Sequence, residues 1–590
     1  MEFLEEFDRI LTLSAGSDHP RIADALVFVK GVEFALMNRE FYAEKDFAIA
    51  RKHLELANER LKNPESIPKS GLVVRGYESS IDGSYQPYGL EIPANLDLSK
   101  PVPLLVWLHG RGDKSTDLHF IERCLTKSQA LGGKIANQEQ CIVLHPFGRQ
   151  CIGWKHAGEI DVFEAIADAK AALGITVSKQ ILAGFSMGGA GAWHIGAHYP
   201  DRFDAIHAGA GFAETAEYNK LKPENHPAWY EKTLWGLYDV PNYARNLLNH
   251  PVIAYSGEVD KQKQAADLMA RELAKHGHEL EHVIGPGMGH KYHDDSAKQI
   301  FDALMAVQPR DPLSDIHLQT QTLRYAGMSP IWVTGLEEHW QDSRVDFRNE
   351  NGVKVVTTKN VTNLRLPGIG RFELDGQSLT SHQSIGHFQE FQKVDGRWEF
   401  GKPSGLRKKP GLQGPIDDAF MAPFLVVLPT ELSQRPAVQK WLDFESSHFA
   451  KRWRELMRGH LPVKRANEVT KDDVANFNLI CWGEPTTNSV IGATIDKLPL
   501  TWKETLEIGN TSVDPAFHVP ALIYPNPLNP ERYLVLNSGL TFREDHDRTN
   551  SLQNPKLPDW AVIDVRQAPS GSSPGKVIDA NFFNERWALK

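Results

Sequence analysis

The sequence predicts an α/β protein built on a mostly parallel sheet, and three observations carry that reading. Short apolar runs recur along the first half: Leu104 to His109, Cys141 to His145, Gln180 to Phe185, Ala205 to Ala208, Pro251 to Ser256 and Glu281 to Ile284. Helical patterns fill the intervals, among them Val162 to Leu173, Gly189 to His198, Gln262 to His276 and Ser296 to Val307. Strands that are apolar throughout belong in a sheet covered on both faces, and their alternation with helices indicates βαβ units. Ahead of them, Leu72 to Tyr77 and Tyr85 to Ile92 flank Asp82-Gly83, a hairpin signal that adds an antiparallel edge.

The elements divide the chain into four parts. Residues 1–68 read as a helical segment, with Phe47 to Ala57 at helical spacing and Asn63-Pro64 as its stop, and serve as a structural clamp. Residues 69–309 hold the strand–helix alternation and form the catalytic domain. Pro309-Arg310-Asp311-Pro312 marks a boundary, after which residues 310–410 carry short alternating stretches around Val353 to Thr358, with turns at Asp375-Gly376 and Asp395-Gly396, and read as a small β-rich domain. The basic, Pro/Gly-rich run Lys402 to Gly414 reads as a solvated linker. In residues 411–590 the βα pattern returns, with strands at Phe424 to Leu428, Leu479 to Gly483, Ala521 to Tyr524 and Tyr533 to Leu536 and a helix from Ala437 to Met457, so a second, smaller α/β accessory domain is expected.

Composition bounds the function. A chain of 590 residues accommodates three or four domains at ~150 residues each. Lys and Arg total 65 against 75 Asp and Glu, a formal charge of −10, which leaves no footprint for nucleic acid or an anionic membrane surface. No apolar run approaches the ~20 residues that span a bilayer. Neither kind of partner is expected. The four cysteines (Cys124, Cys141, Cys151, Cys481) are too few for a disulfide scaffold and show no C-x-x-C zinc spacing, so no metal and no cofactor is assigned. Cys141 lies in an apolar strand and reads as core; it could pair with Cys151 only in an oxidising compartment. The acidic start Met1 to Glu6 lacks a secretory pattern. Localisation stays open, because Met1 could follow a removed leader, which would place the protein in the periplasm or outside the cell.

The chemistry concentrates in one motif. Gly184-Phe185-Ser186-Met187-Gly188-Gly189 follows the strand Ile181-Leu182-Ala183 and opens a helix, the context of a nucleophile elbow. A serine hydroxyl needs a base, and in this architecture the order is Ser, then Asp or Glu, then His. After the strand Pro251 to Ser256, Asp260 is the preferred acid, because it opens a helix expected from Lys261, with Glu258 its rival. In Gly285-Pro286-Gly287-Met288-Gly289-His290-Lys291-Tyr292-His293 the base is His290, with His293 the competitor. His290 would take the Ser186 proton and return it to the leaving group, while Asp260 fixes the tautomer. The strand ending in His109-Gly110-Arg111-Gly112 supplies the loop for an oxyanion hole, whose donors are assigned to the backbone N–H groups of Arg111 and Met187, with His109 as a brace.

This ordered set of motifs resembles α/β-hydrolase esterases of the prolyl-oligopeptidase superfamily, and is similar to feruloyl-esterase-like, acetylxylan-esterase-like and polyhydroxybutyrate-depolymerase-like proteins. The resemblance covers about Gly71 to Val307, around 40% of the chain. It implies a serine hydrolase using no metal or cofactor. The expected activity is ester hydrolysis, with feruloyl or acetyl esters of polysaccharides as substrates. A serine peptidase of the same superfamily is the alternative, and an inactive hydrolase-fold binding protein the third. No blade-like repeat precedes Ser186, which argues against a propeller-bearing peptidase.

Trp154, Trp229 and Tyr230 are expected to wall a pocket for an aromatic acyl group or a sugar ring. Trp154 stands after the Cys141 to His145 strand near Arg149 and Glu159-Ile160-Asp161, and the other two lie in an insertion that also carries Trp235, Tyr238 and Tyr243. A local aromatic core is an equal reading for Trp235 and Tyr238. Trp482 to Asn488 reads as a turn with a capped helix and Asp545-His546-Asp547 as a solvated loop. The accessory domains are left to bind carbohydrate, orient the substrate or mediate association.

Overall fold

Eight strands make the central sheet, in the order β1-β2-β4-β3-β5-β6-β7-β8. They are β1 (Gly71–Glu78), β2 (Tyr85–Ile92), β3 (Val102–Leu108), β4 (Ile142–Pro146), β5 (Val177–Phe185), β6 (Ala205–Gly209), β7 (Val252–Gly257) and β8 (Glu281–Gly285). β2 runs antiparallel to both β1 and β4, and every pair from β4 onward is parallel. This is the strand order of the α/β-hydrolase fold. The computed structural model describes residues 21–135, 138–311, 315–382 and 388–590; the readings made for the first 20 residues and for Pro312 lie outside them.

Continuous apolar strands are required because both faces are covered. Leu104, Val106 and Leu108 of β3 face Val162, Trp193 and Ile195 from the helices Ala157–Leu173 and Met187–His198. The alternate residues Leu105 and Trp107 face Ile300 and Phe301 of the helix Asp294–Ala306 on the other side. Period-two geometry thus buries every position, which is why no polar alternation appears in the sequence.

The helices Ala23–Met37 and Lys45–Lys62 pack Phe28, Val32 and Leu54 against Val74, Phe120 and Phe147 of the catalytic domain. Ion pairs bolt this contact: Asp24 meets Arg75 at 2.7 Å, and Lys30 meets Asp117 at 2.9 Å. The same Asp117 pairs with Arg458 of the accessory domain at 2.6 Å, and Arg458 reaches Glu40 at 2.7 Å. Three parts of the chain therefore share one buried charge cluster.

Strands between Ile316 and Phe400 form two five-stranded sheets around Val345, Leu364, Phe372, Phe391 and Trp398. This unit docks on the catalytic domain through Asn246, which donates to Gln319 O (3.0 Å) and accepts from Gln319 N (2.6 Å). Residues beyond it build a seven-stranded mixed sheet. Its parallel half pairs Val463–Arg465, Phe424–Leu428, Asn478–Cys481 and Asn529–Leu536; His518–Asn526, Trp560–Asp564 and Lys576–Asn581 complete it antiparallel. The sequence reading lacks the last two strands, which are short runs separated by a Pro/Ser/Gly-rich stretch.

The expected solvated linker is solvated only in part. Lys402 and Ser404 to Leu406 are exposed, but Lys408 is buried and pairs with the buried Asp559 at 2.7 Å, Leu412 enters the accessory core, and Gln413 N donates to Tyr533 Oη (2.6 Å). All four cysteines are free, with Cys124, Cys141 and Cys481 buried.

Candidate active site

Ser186 lies between the end of β5 and the first residue of the helix Met187–His198, with φ 60° and ψ −120°. For a residue with a Cβ this is strained backbone, of the kind that persists where surrounding packing holds it. The packing here is explicit. A methyl at Gly184 would sit 2.2 Å from Gly188 O, and one at Gly188 would sit 1.9 Å from Leu108 O. Ser186 N donates to Gly209 O at 2.8 Å, tying the turn to β6.

The acid and base converge from two loops at the carboxyl edge of the sheet. Asp260 Oδ2 stands 2.8 Å from His290 Nδ1, with the carboxylate side chain 4% exposed and the imidazole 39% exposed. The other oxygen, Oδ1, accepts from Gln262 N at 2.9 Å, and the helix begins at Lys263 rather than at the expected Lys261. Glu258 does different work: its Oε2 accepts from Gly287 N at 2.7 Å and so holds the histidine loop. His293 points elsewhere; its N–H donates to Tyr255 Oη (2.9 Å) and its Nδ1 is buried without a partner.

The His290 ring lies 4.7 Å from the ring of Phe185, the residue before the serine. No hydrogen bond joins Ser186 to His290 among the described residues, an arrangement common before substrate tightens the pair. Gly110 abuts the nucleophile, since a methyl there would lie 3.4 Å from Ser186 Cβ. The N–H groups of Arg111 and Met187 have no protein acceptor among the described residues. His109 sits under this loop with Nδ1 2.9 Å from Gly110 O and Nε2 2.9 Å from Phe147 O. Burial, with Arg123 nearby as the next cause, pushes its pKa down to about 4, so the ring is a neutral brace.

The three aromatic residues expected to bind substrate are not at this site. Trp154 is 1% exposed; its Nε1 donates to His109 O (3.2 Å) and its ring packs edge-on against His109 at 4.9 Å. Gly148 and Gly191 make room for it, so the indole is core beneath the oxyanion loop. Trp229 is 57% exposed, but it leans on Tyr230 and on Phe582 of the accessory domain. Tyr230 is half-buried against both the catalytic and accessory cores. Neither lines the pocket that contains His290. Trp235, Tyr238 and Tyr243 form the core of the insertion. Arg149 and Asp161 are also buried: Arg149 pairs with Asp82 at 2.9 Å, and Asp161 accepts from Tyr77.

What the sequence reading missed is a loop of the accessory domain. Arg111 Nη2 donates to Asp547 O at 2.9 Å. Asp547 is not solvated as expected but is held by Arg452. Close by, Asn550 Nδ2 donates to Cys151 O (3.0 Å), Lys155 Nζ donates to Asn554 Oδ1 (2.6 Å), and His156 stacks on Phe542 at 5.0 Å. Tyr218 bonds Thr549 and lies within electrostatic reach of both Arg111 and Asp260. The accessory domain thus touches the loop that carries Arg111 and the segment from Cys151 to His156. In Trp482 to Asn488, Asn488 caps the helix Ser489–Thr494, and Glu484 is spent on Arg435 and Ser433.

Comparison with known proteins gives a family match over part of the chain. Residues 149–306, which include Ser186, Asp260 and His290, match the prolyl oligopeptidase family. No curated protein matches the chain. Among solved structures, a thermostable esterase is 17% identical with a TM-score of 0.30, over 40% of this chain and 63% of that one. The feruloyl esterase module from Clostridium thermocellum complexed with sinapinate is 16% identical, TM-score 0.28, over 41% of this chain and 89% of its own. A puromycin-hydrolyzing peptidase from Mycobacterium tuberculosis is 15% identical, TM-score 0.29, over 40% and 39%. The protein is a serine hydrolase.

Proposed function

We propose that the protein is a carboxylic ester hydrolase acting through an acyl-enzyme on Ser186. The observation that carries this reading is the 2.8 Å contact of His290 with Asp260 beside a strained serine elbow. Asp260 holds Nδ1–H, which leaves Nε2 to accept the Ser186 proton as Oγ attacks the ester carbonyl. The negative oxygen that forms is stabilised by the Arg111 and Met187 amides, since both lack protein acceptors. His290 then gives the proton to the departing alcohol, and water repeats the sequence to release the acid.

Ester rather than peptide cleavage is favoured by what surrounds the cleft. Among the described residues, the acids that line the pocket with His290 are Asp294 and Asp295, both exposed, and Asp294 is engaged by Lys134 at 2.6 Å, which leaves no free acidic pair for an amino terminus. Acyl esters of polysaccharides are the substrate class proposed on family resemblance.

A panel of p-nitrophenyl acetate, methyl ferulate and a Gly-Pro amide, with wild type and Ser186→Ala, tests the reading. Turnover of esters that disappears in the variant is expected. Amide turnover without ester turnover would reverse it in favour of a peptidase.

A further inference from the structure

Next to the acid–base pair lies a pocket of about 710 Å³, lined by Trp107, His109, Gly110, Phe185 and His290, and by Arg123. Gly110 touches Ser186, so the pocket opens directly beside the nucleophile. Arg123 belongs to the helix Asp117–Thr126, which follows the oxyanion loop.

Several arginines in this protein have counter-ions. Arg149 pairs with Asp82, Arg458 with Asp117 and Glu40, Arg324 with Asp418, and Arg543 with Glu445. Arg123 has none among the described residues. Its Nε and Nη2 are buried and meet no acceptor. Desolvation depresses its pKa. The acids of the pocket rim do not reach it: Asp294 is tied to Lys134, and Asp295 is exposed. A half-buried guanidinium with two nitrogens withdrawn from water and no carboxylate partner gains when an anion is brought to its remaining face. Arginine is also the side chain best suited to a carboxylate.

We propose that this pocket receives an anionic end of the substrate, so that the enzyme prefers esters bearing a carboxylate, held by Arg123 while the ester carbonyl meets Ser186. The proposal rests on the hydrolase reading above. It adds a charge requirement that an acetyl or plain feruloyl ester does not meet.

Two matched pairs of substrates locate the carboxylate: p-nitrophenyl hemiglutarate against p-nitrophenyl pentanoate for the acyl side, and 4-carboxyphenyl acetate against phenyl acetate for the alcohol side. In one pair the anionic ester should show a kcat/KM at least about ten-fold above its neutral partner. Arg123→Met should erase that advantage while the neutral ester stays within about three-fold, and Arg123→Lys should keep part of it. Equal rates within both pairs, or a preference that survives Arg123→Met, would overturn the proposal while neutral-ester turnover still upholds the hydrolase. If no ester is turned over, calorimetry with glutarate decides: binding to wild type and at least about ten-fold weaker binding to Arg123→Met supports the subsite, and equal or absent binding rejects it. Circular dichroism on both variants confirms that the fold is retained.

Discussion

The Arg111 guanidinium donates to the main-chain carbonyl of Asp547 at 2.9 Å, joining the oxyanion loop to a segment 436 residues further along the chain. The loop proposed to supply a donor for the transition state is thereby buttressed by residues far along the chain. Because a main-chain carbonyl is the acceptor, the contact is tested from the arginine. Arg111→Ala should lower kcat/KM by about 3- to 30-fold through a looser loop, with little change in melting temperature. Steady-state kinetics and the rate of fluorophosphonate labelling measure it, and an unchanged labelling rate would remove the buttress from the mechanism.

Ser186 is the proposed point of covalent attachment. Ser186→Ala should lose fluorophosphonate labelling altogether and reduce ester kcat by at least about 10³-fold, and His290→Ala should do nearly as much. Mass spectrometry of the labelled peptide locates the adduct. Labelling at another serine would move the nucleophile.

The two carboxylates near the histidine have separate tasks. Asp260→Asn should cost about 10⁴-fold in kcat by leaving the imidazole in the wrong tautomer. Glu258→Gln, which alters only the bond to Gly287 N, should cost less than about ten-fold. The reverse ranking would exchange their roles.

Arg458 is placed so that its removal strands two acids. Arg458→Met leaves the Asp117 and Glu40 carboxylates without their shared cation and should destabilise the protein by about 3–5 kcal/mol. Lys409→Met breaks an exposed pair with Glu531 and should cost less than about 1 kcal/mol. Thermal melts on both variants compare them; equal shifts would mean the buried cluster is not a clamp.

Stability should fall on mild acidification. Burial holds His109, His156, His207, His250 and His546 down to about 4 and His194 down to about 3. In the unfolded chain these imidazoles take up protons near pH 6.5, so unfolding binds protons below that pH and the stability present at pH 7 is lost as pH drops towards 4. Five buried carboxyls work the other way, Asp161 raised to about 6, Asp239 and Asp417 to about 7, and Asp418 and Asp559 also raised, gaining stability as they protonate in the fold. The histidines outnumber them. Urea melts at pH 7.5 and pH 5 should show lower stability at pH 5; a higher value would mean the carboxyls dominate.

What could be read from the sequence was what is encoded locally. Gly184 is needed because of a contact four residues on, the Gly188 spacing completes a recognisable motif although its own reason is the distant Leu108 O, and the Asp260 and His290 loops follow strands whose apolar runs are visible. Trp154 could not be placed that way. Its burial depends on Gly148 and Gly191 vacating space on two other elements, and a tryptophan looks the same in a chain whether it is core or binding wall. Lys408 was misread for a similar reason, since its partner Asp559 lies 151 residues away. Arg123 gave no signal at all, because a missing counter-ion has no sequence pattern. The 436-residue span from Arg111 to Asp547 has none either, and with it the contact of the accessory domain with the Arg111 loop was hidden.

Arg149 has a consequence for how this chain can change over generations. It belongs to the catalytic segment, yet it donates to Met457 O at 2.6 Å, and Lys155 nearby donates to Asn550 O and Asn554 Oδ1. A recombination event that transplanted residues 69–309 alone would keep the Arg149–Asp82 pair but would strip Arg149 of its bond to Met457 O and Lys155 of its acceptors. Exchange of this segment by itself therefore leaves buried cations short of acceptors.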